Sequence, residues 1–350
     1  VKIQDLPTPA LVADAARIEG NLATMAQAHP GTSLRPHVKA HKSTALARRQ
    51  AAHGHPGFCA ATIREIEGLA AAGLGEDLLL ANEVLDARRL GECVRRGARV
   101  TLAVDSPETI EAALRGGVPE VLIDVNVGLP RCGCAPEEAG ALAERARACG
   151  LEVRGVMGYE GHVVGLSDRA QRERGCETSM EILLAAHADV GGGVISAGGT
   201  GTWDCHSSAT EIQAGSYVLM DTAYAALGLP FVQAFYLLAS VVSVAPRDAG
   251  YAVADAGLKA LGMDHGNPSL PGGRVLFCSD EHVTFTVGAA AEAADTPSPI
   301  DWFAPERVRV GDRIRLVPAH VDPTLAYHER LYVADGEDVI DTWPIDLRGW

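Results

Sequence analysis

Only four of the chain's residues are lysine, against 26 arginines, and two of the four share the run Arg35-Pro36-His37-Val38-Lys39-Ala40-His41-Lys42. An enzyme working through a Schiff base must use lysine, because only an amine forms the imine and loses its proton at moderate cost. On spacing alone, an exposed helix start in an arginine-preferring sequence explains Lys39 and Lys42 equally well. A second group is Gly198-Gly199-Thr200-Gly201-Thr202. Such a loop can turn several backbone N–H groups and a threonine hydroxyl onto a phosphate without any lysine, although many similar loops are only tight turns. The third is Pro318-Ala319-His320-Val321-Asp322-Pro323. On a strand, residues two apart face the same way, so His320 and Asp322 could grip one divalent ion, Zn²⁺ or Mn²⁺ among them. A His and an Asp near a loop can equally form a hydrogen-bonded turn.

Short β-branched runs alternate with Ala/Arg/Glu-rich stretches over the first two-thirds of the chain. The pattern predicts strands at Leu34–Val38, Phe58–Ala61, Leu78–Ala81, Val100–Val104, Val121–Val125, Val153–Met157, Val194–Ala197 and Tyr217–Met220. Helices between them begin at capping or first-turn residues such as Ser43, Ser106-Pro107 and Pro136. Eight βα repeats point to a (β/α)8 TIM barrel, whose chemistry collects on the loops after the strands. An open doubly wound sheet would carry an early glycine-rich dinucleotide turn, and none is present. On the barrel reading, Lys39 ends strand 1, Arg131 follows strand 5, Tyr159 and His162 follow strand 6, the glycine-rich loop follows strand 7, and Gln213-Ala214-Gly215-Ser216-Tyr217 leads into strand 8. After about Phe231, strands follow one another with turn signals at Pro246–Gly250, Gly262–Gly273 and Asp335-Gly336. The expected division is a barrel over 6–232 and an all-β domain over 233–350, joined by 1–5.

A net charge of −15 argues against nucleic-acid or anionic-membrane partners. The uncharged stretch from Thr222 to Pro246 is interrupted by Gly228, Pro230, Gln233 and two serines, so it reads as a helix, a turn and the buried strand Phe235–Val244 rather than a membrane span. No signal-peptide pattern opens the sequence, and the eight cysteines form no CxxC pair. A cytoplasmic protein with mostly buried, reduced thiols is expected, the lone Cys132-Gly133-Cys134 being a poor zinc signal.

In order, these pieces resemble the D-threonine aldolase and D-serine dehydratase family, the metal-activated branch of the alanine-racemase-like (fold type III) pyridoxal phosphate enzymes. The matching segments are Thr8-Pro9-Ala10-Leu11-Val12, the run Arg35 to Ser43, Arg131-Cys132-Gly133, Gly199-Thr200-Gly201, Gln213 to Tyr217, Asp255-Ala256-Gly257-Leu258-Lys259 and His320-Val321-Asp322-Pro323-Thr324. The resemblance implies that Lys39 forms the Schiff base with pyridoxal 5'-phosphate. It implies that Gly199, Thr200, Gly201, Gly215 and Ser216, with the adjoining Tyr217, cradle the phosphate, and that Tyr159 and Arg131 contact the cofactor ring or its substituents. His320 and Asp322 would hold a divalent metal beside a substrate β-hydroxyl, and the enzyme would be a homodimer acting on a small D-amino acid.

Dehydratase-like members tend to show His-x-Cys where this chain has His-x-Asp, and a carboxylate extends the metal choice from Zn²⁺ toward Mn²⁺ or Mg²⁺. The resemblance therefore leans to a lyase that splits Cα–Cβ of D-β-hydroxy-α-amino acids into glycine and an aldehyde. One departure stands against it. Aldolases carry a further histidine several residues beyond the tyrosine matching Tyr159, proposed as the hydroxyl's base. Here the nearest, His162, is three residues on and could instead be a loop histidine bonded to Glu160. The alternatives are a D-serine, D-threonine or 3-hydroxyaspartate dehydratase, an amino-acid racemase, and a non-catalytic pyridoxal phosphate carrier. Trp203 and Trp302 could line a substrate pocket or simply pack.

Overall fold

The computed structural model describes residues 1–245, 250–288 and 307–350, so Trp302 and most of the Pro246–Gly250 turn lie outside the described residues. The chain divides into two compact units: Leu22–Gly215 with Asp346–Trp350, and Val1–Asn21 with Ser216–Ile345. The first strand, β1 (Ala10–Asp14), does not join the barrel. That unit's parallel sheet runs in chain order through β2 (Gly57–Ala60), β3 (Asp77–Leu80), β4 (Val100–Val104), β5 (Glu120–Asp124), β6 (Glu152–Met157), β7 (Val194–Ala197) and β8 (Glu211–Ile212). The segment expected as strand 1 closes the ring by isolated parallel bridges, Leu34 to Ile212 on β8 and His37 to Cys59 on β2. The segment expected as strand 8 is not a strand: Ser216–Val218 is a 3-10 turn, and the eighth stave is the two-residue β8.

Alternation along these strands sorts the core, since successive side chains point to opposite faces. Cys59, Leu79, Ala103, Leu122 and Met157 cluster together, one from each of β2 to β6. Phe58, Leu78, Leu80, Leu102, Val121 and Ile123 instead join the larger core that includes the helical residues Ile66, Leu69, Leu90 and Ala143. The helices start where polar caps permit. Thr62 and Glu65 form a capping box, and Ser106 accepts from the Thr109 amide ahead of Pro107.

Charged residues sit at the starting ends of the staves. Arg35 donates to Glu211 Oε1 at 2.8 Å and to Asp77 Oδ2 at 2.8 Å. Arg154 donates to Asp77 Oδ1 and to the Thr101 hydroxyl, each at 2.7 Å. Five staves, those bearing Arg35, Asp77, Thr101, Arg154 and Glu211, are thereby tied side chain to side chain. Burial alone would raise the pKa of Asp77, but the Arg154 and Arg35 guanidiniums outweigh it and hold the carboxyl well below its ordinary range.

The second unit is built on a sheet ordered β11-β12-β10-β9-β1-β14-β15, with β13 also paired to β9. Its strands are β9 (Phe235–Val244), β10 (Ala252–Ala254), β11 (Gly273–Cys278), β12 (Val283–Val287), β13 (Arg313–Leu316), β14 (Arg330–Asp335) and β15 (Asp338–Pro344). All pairings are antiparallel except β1 with β14. Two differences from the expected division follow. Residues 6–14 belong with this sheet, since Leu11 stands opposite both Leu237 and Leu331. The unit is also not purely β, because Val321–Tyr327 is helical with Pro323 in its first turn, where a missing N–H costs nothing. Thr8 donates to Asp255 at 2.6 Å, and Arg313 donates to Thr8 and Ser240 at 3.0 and 2.5 Å, fastening the chain start to this sheet. No helix among the described residues is long and apolar enough to cross a membrane.

Asp77→Asn leaves the buried Arg35 and the partly buried Arg154 guanidiniums short of charge and is expected to lower the unfolding free energy by about 3 kcal/mol at neutral pH. A depressed carboxyl pKa stabilises above the unfolded value of 3.8 and loses that contribution as pH falls through the folded value. Denaturant curves of wild type and variant should therefore differ at pH 7 and draw together in acid.

Candidate active site

Lys39 lies in the 3-10 turn Val38–Ala40 just beyond the closing stave, its amide donating to His37 Nδ1 at 3.4 Å. Burial, then the charges of Lys39, Lys42 and Arg131, push the His37 pKa well below its ordinary value, so the imidazole is neutral. Lys42 is committed elsewhere: its amine pairs with the fully buried Glu65 carboxylate. Lys2 and Lys259 pair with Asp338 and Glu281. The Lys39 amine stands 5.8 Å from the centre of the Tyr159 ring, and the Arg131 guanidinium 5.3 Å from the same ring. A Cβ on Gly199 would come 3.3 Å from that ring, so loops after β5, β6 and β7 and the Lys39 turn meet around one tyrosine.

A Cβ on Gly215 would come 2.4 Å from the His37 carbonyl oxygen, so the strand end after β8 can lie against the Lys39 turn only as glycine. The loop Gly198 to Thr202 is buried throughout and is held by bonds within it and to Glu160. The Gly199 amide donates to the Thr202 hydroxyl at 3.1 Å, and the Gly198 amide to Glu160 Oε2 at 3.2 Å. An amine beside an aromatic ring and a second cation, with a buried glycine cradle, fits pyridoxal phosphate. At the end of β5, burial and the neighbouring Glu83 raise the Asp124 pKa well above its ordinary value. Glu83 also drives the Cys132 thiol up to about 12.

In the other unit, His320 caps the helix Val321–Tyr327 and Asp322 lies in its first turn, so the strand geometry expected for this pair is not what joins them. They converge all the same, with His320 Nε2 3.7 Å from Asp322 Oδ2. His320 Nδ1 lies 2.7 Å from Asp264 Oδ2, and the His265 ring stacks on His320 at 3.9 Å and 9°. A carboxylate on Nδ1 fixes the tautomer and leaves the Nε2 lone pair for a metal. Asp221 holds the turn in place by accepting from the Val321 amide at 2.9 Å; burial, partly offset by the Tyr224 and Val321 amides, brings its pKa to about 6. One imidazole and one or two carboxylates fit a divalent ion with open positions.

Other expected site residues are placed differently. Ser216 donates to Asp322 Oδ2 at 3.4 Å, which allies it with the metal turn. Tyr217 is fully buried, its ring 5.5 Å from Phe231, so it is a core side chain. His162 is exposed with its ring against Gly128, where a Cβ would come 2.8 Å from Cε1, and Glu160 bonds His206 instead of His162. Half of the eight thiols are buried, fewer than expected, and Cys149 is exposed. Trp203 takes the packing option, its ring edge-on to His29. The sequence reading offered Glu160 only as a partner of His162, and it missed His206 as well as Asp264 and His265, which lay inside a segment read as a turn.

The alanine racemase N-terminal domain model matches residues 13–223, and the serine dehydratase domain model matches 234–334. A D-threonine aldolase of Arthrobacter sp is 33% identical over 98% of this chain and 93% of its own. A D-threo-3-hydroxyaspartate dehydratase of Delftia sp. (strain HT23) is 30% identical over 99% of this chain and 98% of its own. Among solved structures, the D-threonine aldolase from Filomicrobium marinum superposes with a TM-score of 0.88 at 32% identity, covering 100% of this chain and 97% of that one. Both domain models and relatives of full length agree with the residues gathered around Tyr159: the chain belongs to the D-threonine aldolase and D-serine dehydratase family of alanine-racemase-like, pyridoxal phosphate-dependent enzymes.

Proposed function

We propose that this chain is a carbon–carbon lyase that cleaves D-β-hydroxy-α-amino acids of the D-threonine type into glycine and an aldehyde, with a divalent metal ion. The observation that carries the reading is the His320–Asp322 pair, an oxygen-rich donor set whose imidazole is oriented by Asp264. When bound, pyridoxal phosphate supplies a sink for the electron pair left on Cα, and the metal lowers the pKa of a hydroxyl. The chain's residues do the rest. Lys39 provides the amine that holds the cofactor. Tyr159 and Arg131 flank the ring, and Gly199 to Gly201 with Gly215 receive the phosphate. His320 and Asp322 hold the ion, with Ser216 donating to Asp322. His162 is the imidazole we assign to the hydroxyl proton, its exposure leaving it accessible. A homodimer in the cytoplasm completes the reading.

Incubation with D-threonine and Mn²⁺ should yield glycine and acetaldehyde, lost on chelation. 2-Oxobutanoate with ammonia would instead place the enzyme among the dehydratases, and turnover unchanged by chelator would remove the metal. Lys39→Ala should abolish the imine absorbance of the bound cofactor. His320→Ala and Asp322→Ala should keep that absorbance while losing metal-dependent turnover by about a hundredfold or more. Gly215→Ala, by pushing its Cβ onto the His37 carbonyl, should weaken cofactor binding by about tenfold or more in a chain that still folds by circular dichroism.

A further inference from the structure

Behind the glycine-rich loop lies a carboxylate that has no place in the chemistry assigned so far. Glu160 follows Tyr159, is 1% exposed, and takes three hydrogen bonds. Its Oε2 accepts from the Gly198 amide at 3.2 Å, while Oε1 accepts from the Thr202 hydroxyl at 2.5 Å and lies 2.8 Å from His206 Nε2. A buried anion beside a loop that receives a phosphate works against binding unless it is neutralised and does something for the loop. Both conditions are met. Burial pulls the His206 pKa down and the Glu160 pKa up, but their hydrogen bond and mutual attraction override both, so each favours the other's charged form.

The carboxylate also dictates hydrogen-bond direction. With its proton committed to Glu160, the Thr202 hydroxyl offers a lone pair to the Gly199 amide at 3.1 Å. The Thr202 amide in turn donates to the Gly199 carbonyl at 3.2 Å. Two consecutive glycine amides are therefore spent holding the turn's shape, one on Glu160 directly and one through Thr202. Gly198 sits at a φ of +82°, where a side chain is strained, and a Cβ there would press on His206 Cδ2 at 3.0 Å. We propose that Glu160 is a positioning residue that locks this loop in its phosphate-receiving shape through Gly198 and Thr202, with His206 as its counter-charge. The proposal rests on the pyridoxal phosphate reading above. Cys176 also lies near Glu160 and His206, in a grouping that could hold a metal ion. The carboxylate's oxygens, however, are already met by donors of the chain.

The experiment compares two probes that share the aldehyde but differ in the phosphate: pyridoxal 5'-phosphate and pyridoxal, each titrated while imine absorbance is followed. Glu160→Gln and Thr202→Val should weaken pyridoxal phosphate by about tenfold or more and change pyridoxal by no more than about twofold, with Thr202→Ser restoring wild-type affinity. Equal weakening of both probes, or of neither, would overturn the positioning role while leaving Lys39 as the anchor. Absence of imine formation by wild type with either probe would overturn the cofactor reading and this inference with it. Zinc retained stoichiometrically by His320→Ala but lost from Cys176→Ser would make Glu160 a metal ligand and overturn the proposal as well.

Discussion

Arg35 sits between two carboxylates, Glu211 on one side and Asp77 on the other, and the barrel's closure depends on it. Backbone pairing at the seam is thin. The closing stave contributes isolated bridges and β8 only two residues, where a seam of full-length strands would present a continuous ladder. Side chains supply what the ladder lacks: Arg35 reaches across to β3 and β8, and Arg154 crosses from β6 to β3 and to Thr101 on β4. Such a buried charge cluster stabilises only while every member is paired, so it is sensitive to any single loss.

Closing the ring in this way has a direct effect at the opposite strand ends. The His37 amide donates to the Ala214 carbonyl at 3.0 Å, which draws the Lys39 turn against Gly215. Tyr159 then serves as a common wall for groups from separate loops. The two cations near its ring face an electron-rich surface and the neutral His37, an arrangement that suits an anionic cofactor.

Much of this was legible in the sequence because the signals were local. Short β-branched and apolar runs alternating with Ala/Arg/Glu-rich stretches located β3 to β7 to within a residue or so, and the scarcity of lysine singled out the turn that bears Lys39. Spacing leaves Lys39 and Lys42 equal and the family resemblance chooses Lys39; the fold adds where Lys42 goes, since Glu65 meets it from a helix more than 20 residues away. The eighth stave was misplaced because Tyr217–Met220 is as apolar as a strand, yet that apolarity serves the other unit's core, and β8 is too short to leave a periodic trace. The His320–Asp322 pair came from the motif and its family resemblance; the strand argument for it was wrong, with Pro323 the local reason. Glu160–His206 and Asp264–His320 are separated by 46 and 56 residues, and pairings at that distance leave no mark in composition or period.

The last residues of the chain return to the barrel unit. Asp346 accepts from the Thr44 amide and hydroxyl at 2.9 and 2.6 Å, the Leu347 amide donates to the Lys42 carbonyl at 2.9 Å, and the Leu347 side chain lies where a Cβ on Gly68 would clash at 2.2 Å. The chain thus passes between units after residues 21, 215 and 345, and the barrel's lysine turn is pinned by a segment made more than 300 residues after it. During synthesis the 22–215 stretch emerges well before its own fastening does. The barrel can become whole only after residues 346–350 have also been made, and no single uninterrupted stretch of the gene encodes it without the β unit in between.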